Sequence, residues 1–166
     1  MIKDKQEIIE KIRGKKGIIS DMDGVIYHGN KLLPGAKKFV EWLKNENKSF
    51  VFLTNASERT PRELQEKLSR LGIEVGHEHF YTSALATATF LASQKENGSA
   101  YIIGEAGIIN ALYDVGYSMN NINPDYVVIG DTHSYNYEKV VTASRLVRDG
   151  AKLIGTNPDI TGPSEQ

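Results

Sequence analysis

The feature that most constrains the fold is a regular alternation of short apolar runs with stretches of helical periodicity. The runs that have the length and composition of buried strands are residues 17–20, 49–53, 80–82, 100–103, 126–129 and 151–154. Between them, apolar residues recur three and four positions apart, as they do on one face of a helix. Strands alternating with helices in this way predict an α/β fold with a mostly parallel sheet.

Local signals support the helix boundaries. Thr60-Pro61-Arg62-Glu63 predicts a capping box with proline at the first helical position. Gly72, Gly116 and Gly150 each follow the last apolar residue of a helical stretch, where glycine commonly ends a helix. Residues 1–13 predict an additional N-terminal helix, with Ile8, Ile9 and Ile12 available to dock.

Composition excludes several classes of protein. The net charge is −1, which gives no overall field favouring nucleic acid or an anionic membrane. The chain has no cysteine, so disulfide frameworks and thiolate metal sites are excluded. The N-terminus lacks the apolar core of a signal peptide, and no apolar run approaches the roughly 20 residues of a membrane span. We therefore expect a soluble cytoplasmic protein that binds neither nucleic acid nor membrane.

Two carboxylates directly follow the first apolar run. Asp21 and Asp23 are two residues apart at a strand end, so they point to the same side of the backbone and repel unless a cation or proton separates them. Ligands bind outside the carboxyl ends of strands in open α/β sheets, and Gly24 allows close backbone approach. The pair predicts a metal site, a nucleophile or both. The alternative is an ordinary turn after a strand.

A second polar pair, Thr54-Asn55, follows the second long apolar run. A hydroxyl and an amide at the end of a neighbouring parallel strand could bind a phosphate oxygen in the same crevice. Such residues also begin ordinary turns. Two consecutive strands that both end in polar chemistry favour the functional interpretation.

The segment between these pairs predicts a small flap. Its His28-Gly29-Asn30 centre suits a tight hairpin, so the histidine is expected to be exposed. Farther along, Gly104-Glu105-Ala106-Gly107 after a strand hints at dinucleotide binding, but it lacks the Gly-X-Gly-X-X-Gly spacing.

Taken together, these segments resemble the haloacid dehalogenase (HAD) superfamily of phosphatases. Within it, the sequence is similar to the NagD subfamily of nucleotide and sugar phosphate phosphatases, from about Lys15 to the last residue. The segments that carry the resemblance are Asp21-Met22-Asp23-Gly24-Val25, Pro34-Gly35, Phe52-Leu53-Thr54-Asn55, Phe80-Tyr81-Thr82-Ser83-Ala84, Tyr101-Ile102-Ile103-Gly104-Glu105, Asn123-Pro124-Asp125-Tyr126-Val127-Val128-Ile129-Gly130 and Thr156-Asn157-Pro158-Asp159. The resemblance implies a Rossmann-like core interrupted by an α/β cap.

The resemblance also implies roles for the polar residues. Asp21 would attack phosphorus and form an aspartyl-phosphate, and Asp23 would protonate the leaving alkoxide and then activate water. Mg²⁺ would bind the Asp21 carboxylate and the backbone carbonyl of Asp23. The phosphate-binding set is Asp23, Gly24, Thr54 and Asn55. The substrate would be a small phosphorylated molecule, either a nucleotide or a sugar phosphate.

The sequence departs from the family in one respect. Family members also use a lysine and further acidic residues that lie beyond the cap, whereas this sequence stops inside it. Gly130-Asp131 offers no second acid nearby, so Asp131 is interpreted as a cap loop residue that could contact substrate. We therefore expect the 166-residue chain alone to be nearly inactive. The alternative is a non-catalytic, truncated HAD-like module for binding or interaction.

The implied organisation is residues 1–82 as the front part of the core and residues 83–166 as an incomplete cap. Asn157 and Asp159 are further candidates for cap contacts to substrate, although their segment also suits an ordinary turn. A homo-oligomer formed through the cap is expected. Without further strands, the run 17–20 would be an unpaired apolar edge, so we expect a weakly stable core beside a better-formed cap.

Overall fold

The computed structural model describes residues 5–159, and the side chain of residue 5 is outside that description. Its α-helices and β-strands, in chain order, are α1 Lys5–Arg13, β1 Gly17–Asp21, β2 Tyr27–His28, β3 Lys31–Leu32, α2 Ala36–Asn45, β4 Ser49–Thr54, α3 Pro61–Arg70, β5 Phe80–Thr82, α4 Ser83–Gln94, β6 Ser99–Ile103, α5 Ala106–Asp114, β7 Ser118–Met119, β8 Tyr126–Ile129, α6 Tyr137–Arg148 and β9 Lys152–Gly155. The predicted α/β class and all six predicted strands are confirmed.

The strands β1, β4 and β5 form a parallel sheet in the order β1-β4-β5, called the first sheet. Alternation along these strands turns Phe50, Phe52 and Phe80 to one face, where α2 and α3 cover them. Helix α3 begins at the predicted capping box: the Thr60 side chain accepts from the Glu63 N–H, and the Glu63 carboxylate accepts from the Thr60 N–H.

The opposite face of the first sheet is bare within residues 5–159. Ile19 is 77% exposed, Leu53 44% and Tyr81 39%. Leu53 pairs with Tyr81, and Ile19 pairs with Val51, which is two residues before Leu53 and on the same face, so the exposed side chains are neighbours. Strand β1 pairs only with β4 in the described part of the chain, so it is an edge strand. The predicted unpaired apolar edge is therefore confirmed.

The strands β6 to β9 form the second sheet, which is parallel and has the order β7-β6-β8-β9. Both faces of its inner strands β6 and β8 are covered, whereas Leu153 on the edge strand β9 is 59% exposed. Helices α4 and α5 pack on the face that carries Ala100 and Val128, and α6 packs on the face that carries Ile103 and Val127. All four of these side chains are buried.

The buried apolar residues fall into clusters that do not mix the two sheets. One cluster contains residues between 22 and 80, and the two others contain residues between 84 and 146. Thr82 ends β5, and its side chain caps α4 by accepting from the Leu85 N–H. The division into a core through residue 82 and a cap from residue 83 is compatible with this arrangement and stays a prediction.

The predicted N-terminal helix forms over Lys5–Arg13, and Ile8, Ile9 and Ile12 are all exposed, so they remain available to dock and are not docked within the described residues. One detail differs from the sequence-based expectations. Strand β7 was not predicted, because two residues with one exposed side chain carry no strand periodicity. Residues 1–4 and 160–166 of the predicted helix and terminal segment lie outside the described residues.

None of the helices between residues 5 and 159 has both the length and the apolar character to cross a bilayer.

Candidate functional site

Strand pairing brings the two predicted polar pairs to one edge of the first sheet. Asp21 is the last residue of β1 and lies opposite Leu53 of β4, and Thr54 is the last residue of β4. Because the strands are parallel and in this register, the Asp21 and Thr54 backbones end side by side at the carboxyl edge. This is the edge at which open α/β sheets bind ligands.

The Asp21 carboxylate is exposed and partly fixed. Its Oδ1 atom accepts from the Met22 N–H at 2.7 Å, which orients the carboxyl group. Within the described residues this is the one hydrogen bond of that side chain, so the second carboxylate oxygen is open to a ligand. The residue that holds the acid in place, Met22, is fully buried in the first-sheet cluster.

A tight turn follows and carries Asp23. The Met22 carbonyl accepts from the N–H groups of Ile26 at 2.9 Å and Tyr27 at 3.3 Å, and the Gly24 N–H donates to the Tyr27 carbonyl at 2.8 Å. Gly24 has φ +75°, and nothing lies within 4 Å of the place where a Cβ would be. The glycine thus allows the turn and leaves its backbone open to an approaching ligand. Asp23 itself is half-buried.

The predicted flap is the hairpin formed by β2 and β3, with Gly29 at φ +56° in its turn and His28 exposed. A buried lysine of α3 contacts the flap. The Lys67 ammonium of α3 lies 4.1 Å from the centre of the Tyr27 ring, a cation–π contact at a buried site. The flap therefore rests on α3 beside Asp23.

Thr54 ends β4, and Asn55 begins the β4–α3 loop (residues 55–60). Thr54 is only 4% exposed, and its Oγ1 accepts from the Ala56 N–H at 3.2 Å. Within the described residues this is the one hydrogen bond of the hydroxyl, which leaves its proton available as a donor. The Asn55 carbonyl accepts from the Ser83 hydroxyl at 2.6 Å, so the first residue of α4 holds this loop.

The last described segment also meets this loop. The Asn55 Nδ2 atom donates to Asp159 Oδ2 at 3.1 Å, and the Asp159 N–H donates to Asn157 Oδ1 at 2.8 Å. The structure thus brings Asp159 from the end of β9 to the end of β4. Asn157 acts on the backbone of Asp159, so it supports that segment from within.

Sequence reasoning missed the residue that organises the loop, Ser57. Ser57 is fully buried, and its N–H and hydroxyl both donate to Asp131 Oδ2, at 2.7 and 3.0 Å. The Ser57 Oγ in turn accepts from the Asp131 N–H at 2.8 Å and from the Thr156 hydroxyl at 3.0 Å. A serine close to Thr54-Asn55 suggests an ordinary turn residue. Its partners lie 74 and 99 residues away in the sequence, so no local pattern indicates them.

The glycine-rich segment after β6 has a packing role in the structure. A Cβ on Gly107 would lie 2.4 Å from the Ser57 carbonyl oxygen and 2.7 Å from that of Arg59, distances too short for any side chain. The Gly107 N–H donates to the Glu58 carbonyl at 2.9 Å. Helix α5 therefore begins directly against the β4–α3 loop, and glycine is required by this close approach.

The acidic side chains at this edge do not form a complete metal centre. Within residues 5–159, no group of three or more His, Cys, Asp or Glu side chains could together hold a metal ion. The oxygen donors at the edge are those of Asp21 and Asp23, which are of the kind that hard cations prefer. These oxygens are therefore ligands of the type that suits Mg²⁺, but the described residues supply too few acidic side chains to complete a metal site.

Comparisons with known proteins agree with this arrangement. A family model described as haloacid dehalogenase-like hydrolase matches residues 18–118. The dihydroxyacetone phosphatase of Corynebacterium glutamicum is 44% identical over 146 residues, which cover 88% of this chain and 53% of that protein. The ribonucleotide monophosphatase NagD of Escherichia coli is 40% identical over 147 residues, covering 89% of this chain and 58% of NagD.

Solved structures give the same result. The NagD structure from Escherichia coli superposes with a TM-score of 0.83 at 39% identity, covering 90% of this chain and 60% of that one. A 4-nitrophenylphosphatase from Thermotoga maritima gives 0.86 at 33% identity, covering 92% and 59%. The chain thus spans somewhat under two thirds of the length of these relatives. By sequence and by structure, it belongs to the haloacid dehalogenase-like hydrolases, among relatives of NagD.

Proposed function

We propose that this chain carries the nucleophile and the acid/base of a Mg²⁺-dependent phosphomonoester hydrolase. Its substrate would be a nucleoside monophosphate or a small sugar phosphate, and its intermediate an aspartyl-phosphate. Support comes from relatives named as a dihydroxyacetone phosphatase, a ribonucleotide monophosphatase and a 5'-nucleotidase. The enzyme would work in the cytoplasm, as a homo-oligomer formed through the cap.

One observation carries the proposal: Asp21 and Thr54 end adjacent parallel strands, and the turn bearing Asp23 follows directly. The residues proposed as nucleophile, proton donor and phosphate-binding hydroxyl thereby lie at one sheet edge. Phosphoryl transfer requires little covalent chemistry from a protein beyond this, because positioning and charge stabilisation supply most of its rate gain.

In the first step, the carboxylate oxygen of Asp21 that is not held by Met22 attacks the phosphorus atom of the ester. A P–O bond forms to Asp21, the bond to the alcohol oxygen breaks, and its electron pair leaves with the alcohol. Asp23 in its protonated form gives its proton to that oxygen, so the alcohol departs neutral. The Thr54 hydroxyl and the Asn55 backbone hold the phosphoryl oxygens.

In the second step, the Asp23 carboxylate accepts a proton from water as the water oxygen attacks the aspartyl-phosphate. The P–O bond to Asp21 breaks and its electrons return to the carboxylate. Orthophosphate leaves, and Asp23 is protonated again for the next cycle. The same side chain thus serves as acid and then as base.

Mg²⁺, when bound, would neutralise charge on the phosphate and on the carboxylates. The Asp21 carboxylate and the Asp23 backbone carbonyl would hold it. Because the described residues offer no third acidic ligand, we propose that the 166-residue chain alone turns over slowly or not at all. That shortage also favours the second candidate function, a module that binds a phosphorylated ligand without hydrolysing it.

The test joins residues 1–155 to the corresponding C-terminal part of Escherichia coli NagD. Mg²⁺-dependent hydrolysis of p-nitrophenyl phosphate is expected from this hybrid and at most a trace from the 166-residue chain. Asp21→Asn should lower the hybrid rate by at least about 10³-fold, and Asp23→Asn by roughly 10²–10⁴-fold. Asp114→Asn changes an exposed acid away from the site and is the control.

A folded hybrid that keeps its activity with Asp21→Asn would overturn the proposed nucleophile. Comparable Mg²⁺-dependent hydrolysis by the 166-residue chain would overturn its proposed inactivity. Binding of inorganic phosphate by the chain, without turnover in either protein, would favour the binding module.

A further inference from the structure

The Ser57 hydroxyl uses its whole hydrogen-bonding capacity in one contact between the two sheets. A hydroxyl can donate once and accept twice. Ser57 Oγ donates to the Asp131 carboxylate and accepts from the Asp131 N–H and from the Thr156 hydroxyl. This buried serine is thus bound from the ends of β8 and β9 at once, and Asp131 supplies two of its three partners.

The Asp131 carboxylate also binds the backbone of the β4–α3 loop. Asp131 Oδ2 accepts the Ser57 N–H at 2.7 Å, a short hydrogen bond to a carboxyl oxygen. That bond fixes the peptide plane between Ala56 and Ser57. The Ala56 N–H, one peptide earlier, donates to Thr54 Oγ1. The position of the Asp131 carboxylate is therefore transmitted to the Thr54 hydroxyl through two consecutive peptides.

Neighbouring contacts leave the loop little freedom to move without the second sheet. The Gly107 N–H binds the Glu58 carbonyl, and the Ser83 hydroxyl binds the Asn55 carbonyl. Asp131 is itself anchored, since the next residue, Thr132, donates its hydroxyl to the Glu105 carboxylate at the start of α5. The β4–α3 loop is enclosed by α4, α5, β8 and β9.

We propose that Asp131 is a positioning residue for the phosphate-binding end of β4. Its carboxylate holds the Ala56–Ser57 peptide, and so directs the Thr54 hydroxyl and the Asn55 backbone toward a phosphate. This inference rests on the proposed function, in which Thr54 and Asn55 bind phosphate. It gives Asp131 a structural link to the site instead of direct contact with substrate.

Positioning and plain electrostatics predict opposite results when the charge is removed. Taking a negative charge away from the neighbourhood of an anion site should strengthen phosphate binding if charge alone matters. If Asp131 positions the loop, the same change should weaken binding because the donors lose their orientation. The isosteric Asp131→Asn variant therefore separates the two explanations by the sign of the effect.

The experiment titrates the full 166-residue chain with inorganic phosphate in the presence of Mg²⁺ and follows the amide signals of residues 54–57 by NMR. Asp131→Asn and Asp131→Ala should each raise the dissociation constant for phosphate, by about fivefold or more for alanine. Both should also speed hydrogen exchange of the Ser57 amide by about tenfold or more. Asp114→Asn makes the same chemical change at an exposed acid and should leave both quantities unchanged.

Unchanged or tighter phosphate binding in a folded Asp131→Asn variant would overturn the inference, as would an unchanged Ser57 exchange rate. If Asp131→Ala fails to fold, the isosteric asparagine variant carries the test. Failure of the proposed function is a different result, because the wild-type chain would then show no phosphate-dependent shifts at residues 54–57. That outcome would also overturn the positioning role, and the exchange rate would still report whether Asp131 holds Ser57.

Discussion

The two sheets follow the same strand–helix rhythm but bury their side chains differently. In the second sheet, the adjacent residues Val127 and Val128 are both fully buried, because helices cover both faces. In the first sheet, Phe52 is fully buried, whereas its neighbour Leu53 is 44% exposed. Parallel sheets normally have both faces covered. Within residues 5–159, the inner strands of the second sheet meet that requirement and the first sheet does not.

The comparison shows that a βα repeat does not by itself set stability. Each buried apolar face contributes free energy in proportion to the area removed from water, and the first sheet gains this from one face only. The buried clusters of the two sheets also remain separate. We therefore expect the first sheet to open at lower free energy than the second, as a distinct cooperative unit.

Phe52→Ala should have the largest effect on this comparison. Phe52 packs against Phe50 and Phe80 with both ring centres 5.5 Å away, and removing such a buried ring costs about 3–5 kcal/mol. Amide protection should be lost in β1 and β4 and kept at Val127 and Val128. Leu112→Ala is the matched change in the second core. Hydrogen exchange measures both, and equal loss of protection in the two sheets would show one cooperative unit.

Gly107→Ala tests how strongly the stability of the protein depends on the contact between helix α5 and the β4–α3 loop. Alanine usually favours a helix over glycine by about 1 kcal/mol, but here its Cβ would meet two backbone oxygens of the β4–α3 loop. We expect a net loss of about 1–3 kcal/mol in unfolding free energy, with the strain concentrated at this contact. Chemical denaturation measures the loss, and Asn110→Ala on the exposed side of α5 is the control. A stabilised Gly107→Ala variant would show that the contact yields easily.

Asp125 contributes to the stability of the second sheet and its helices, and this contribution depends on pH. It binds the Lys95 ammonium at 2.5 Å and accepts from the Ser99 N–H at 2.9 Å. The hydrogen bond from Lys95, followed by those from Ser99, holds the pKa of Asp125 below 3.8, although burial acts in the opposite direction. Since the folded pKa is lowered, this stabilisation is complete above the unfolded pKa and is lost as the pH falls through the folded value.

Asp125→Ala should therefore lower the unfolding free energy at neutral pH by about 1–2 kcal/mol. Because Lys95 is half exposed, most of the loss should come from the Ser99 N–H. The difference between variant and wild type should shrink below pH 4. Urea unfolding at pH 7 and pH 3 measures it, and an equal difference at both pH values would contradict this assignment.

Tyr117 contributes to the stability of the second sheet and its helices, and this contribution is lost at alkaline pH. Its hydroxyl donates to the carbonyls of Leu91 and Lys95, at 2.7 and 2.9 Å, and burial, with Tyr126 and Asp125 nearby, raises its pKa to about 12. The raised pKa means that its contribution is complete below about pH 10 and declines between 10 and 12. Tyr117→Phe should cost about 1 kcal/mol at pH 8, with a difference from wild type that shrinks above pH 10.

Much of this fold could be predicted from local patterns in the sequence. Strand and helix periods, the Thr60 capping box and the Gly29 turn depend on residues a few positions apart. The Ser57–Asp131 contact joins residues 74 positions apart, so no local period encodes it. Lys67 is similar: a lysine in an amphipathic helix is expected in solvent, but this one is buried and contacts the Tyr27 ring of a hairpin distant in sequence. Tertiary packing decided both positions.

Ile19→Thr should change stability least and association most. Ile19 is 77% exposed on the edge strand of the first sheet, and Ile122 is 82% exposed on a loop of the second region. Substitution of either exposed side chain should alter unfolding free energy by no more than about 0.5 kcal/mol. An apolar edge strand offers unpaired backbone groups to another chain, so Ile19→Thr should lower concentration-dependent association while Ile122→Thr should not. Sedimentation velocity at increasing protein concentration distinguishes them. Equal effects would mean that exposed apolar area drives association, wherever it lies, and that the bare face of the first sheet has no special part in it.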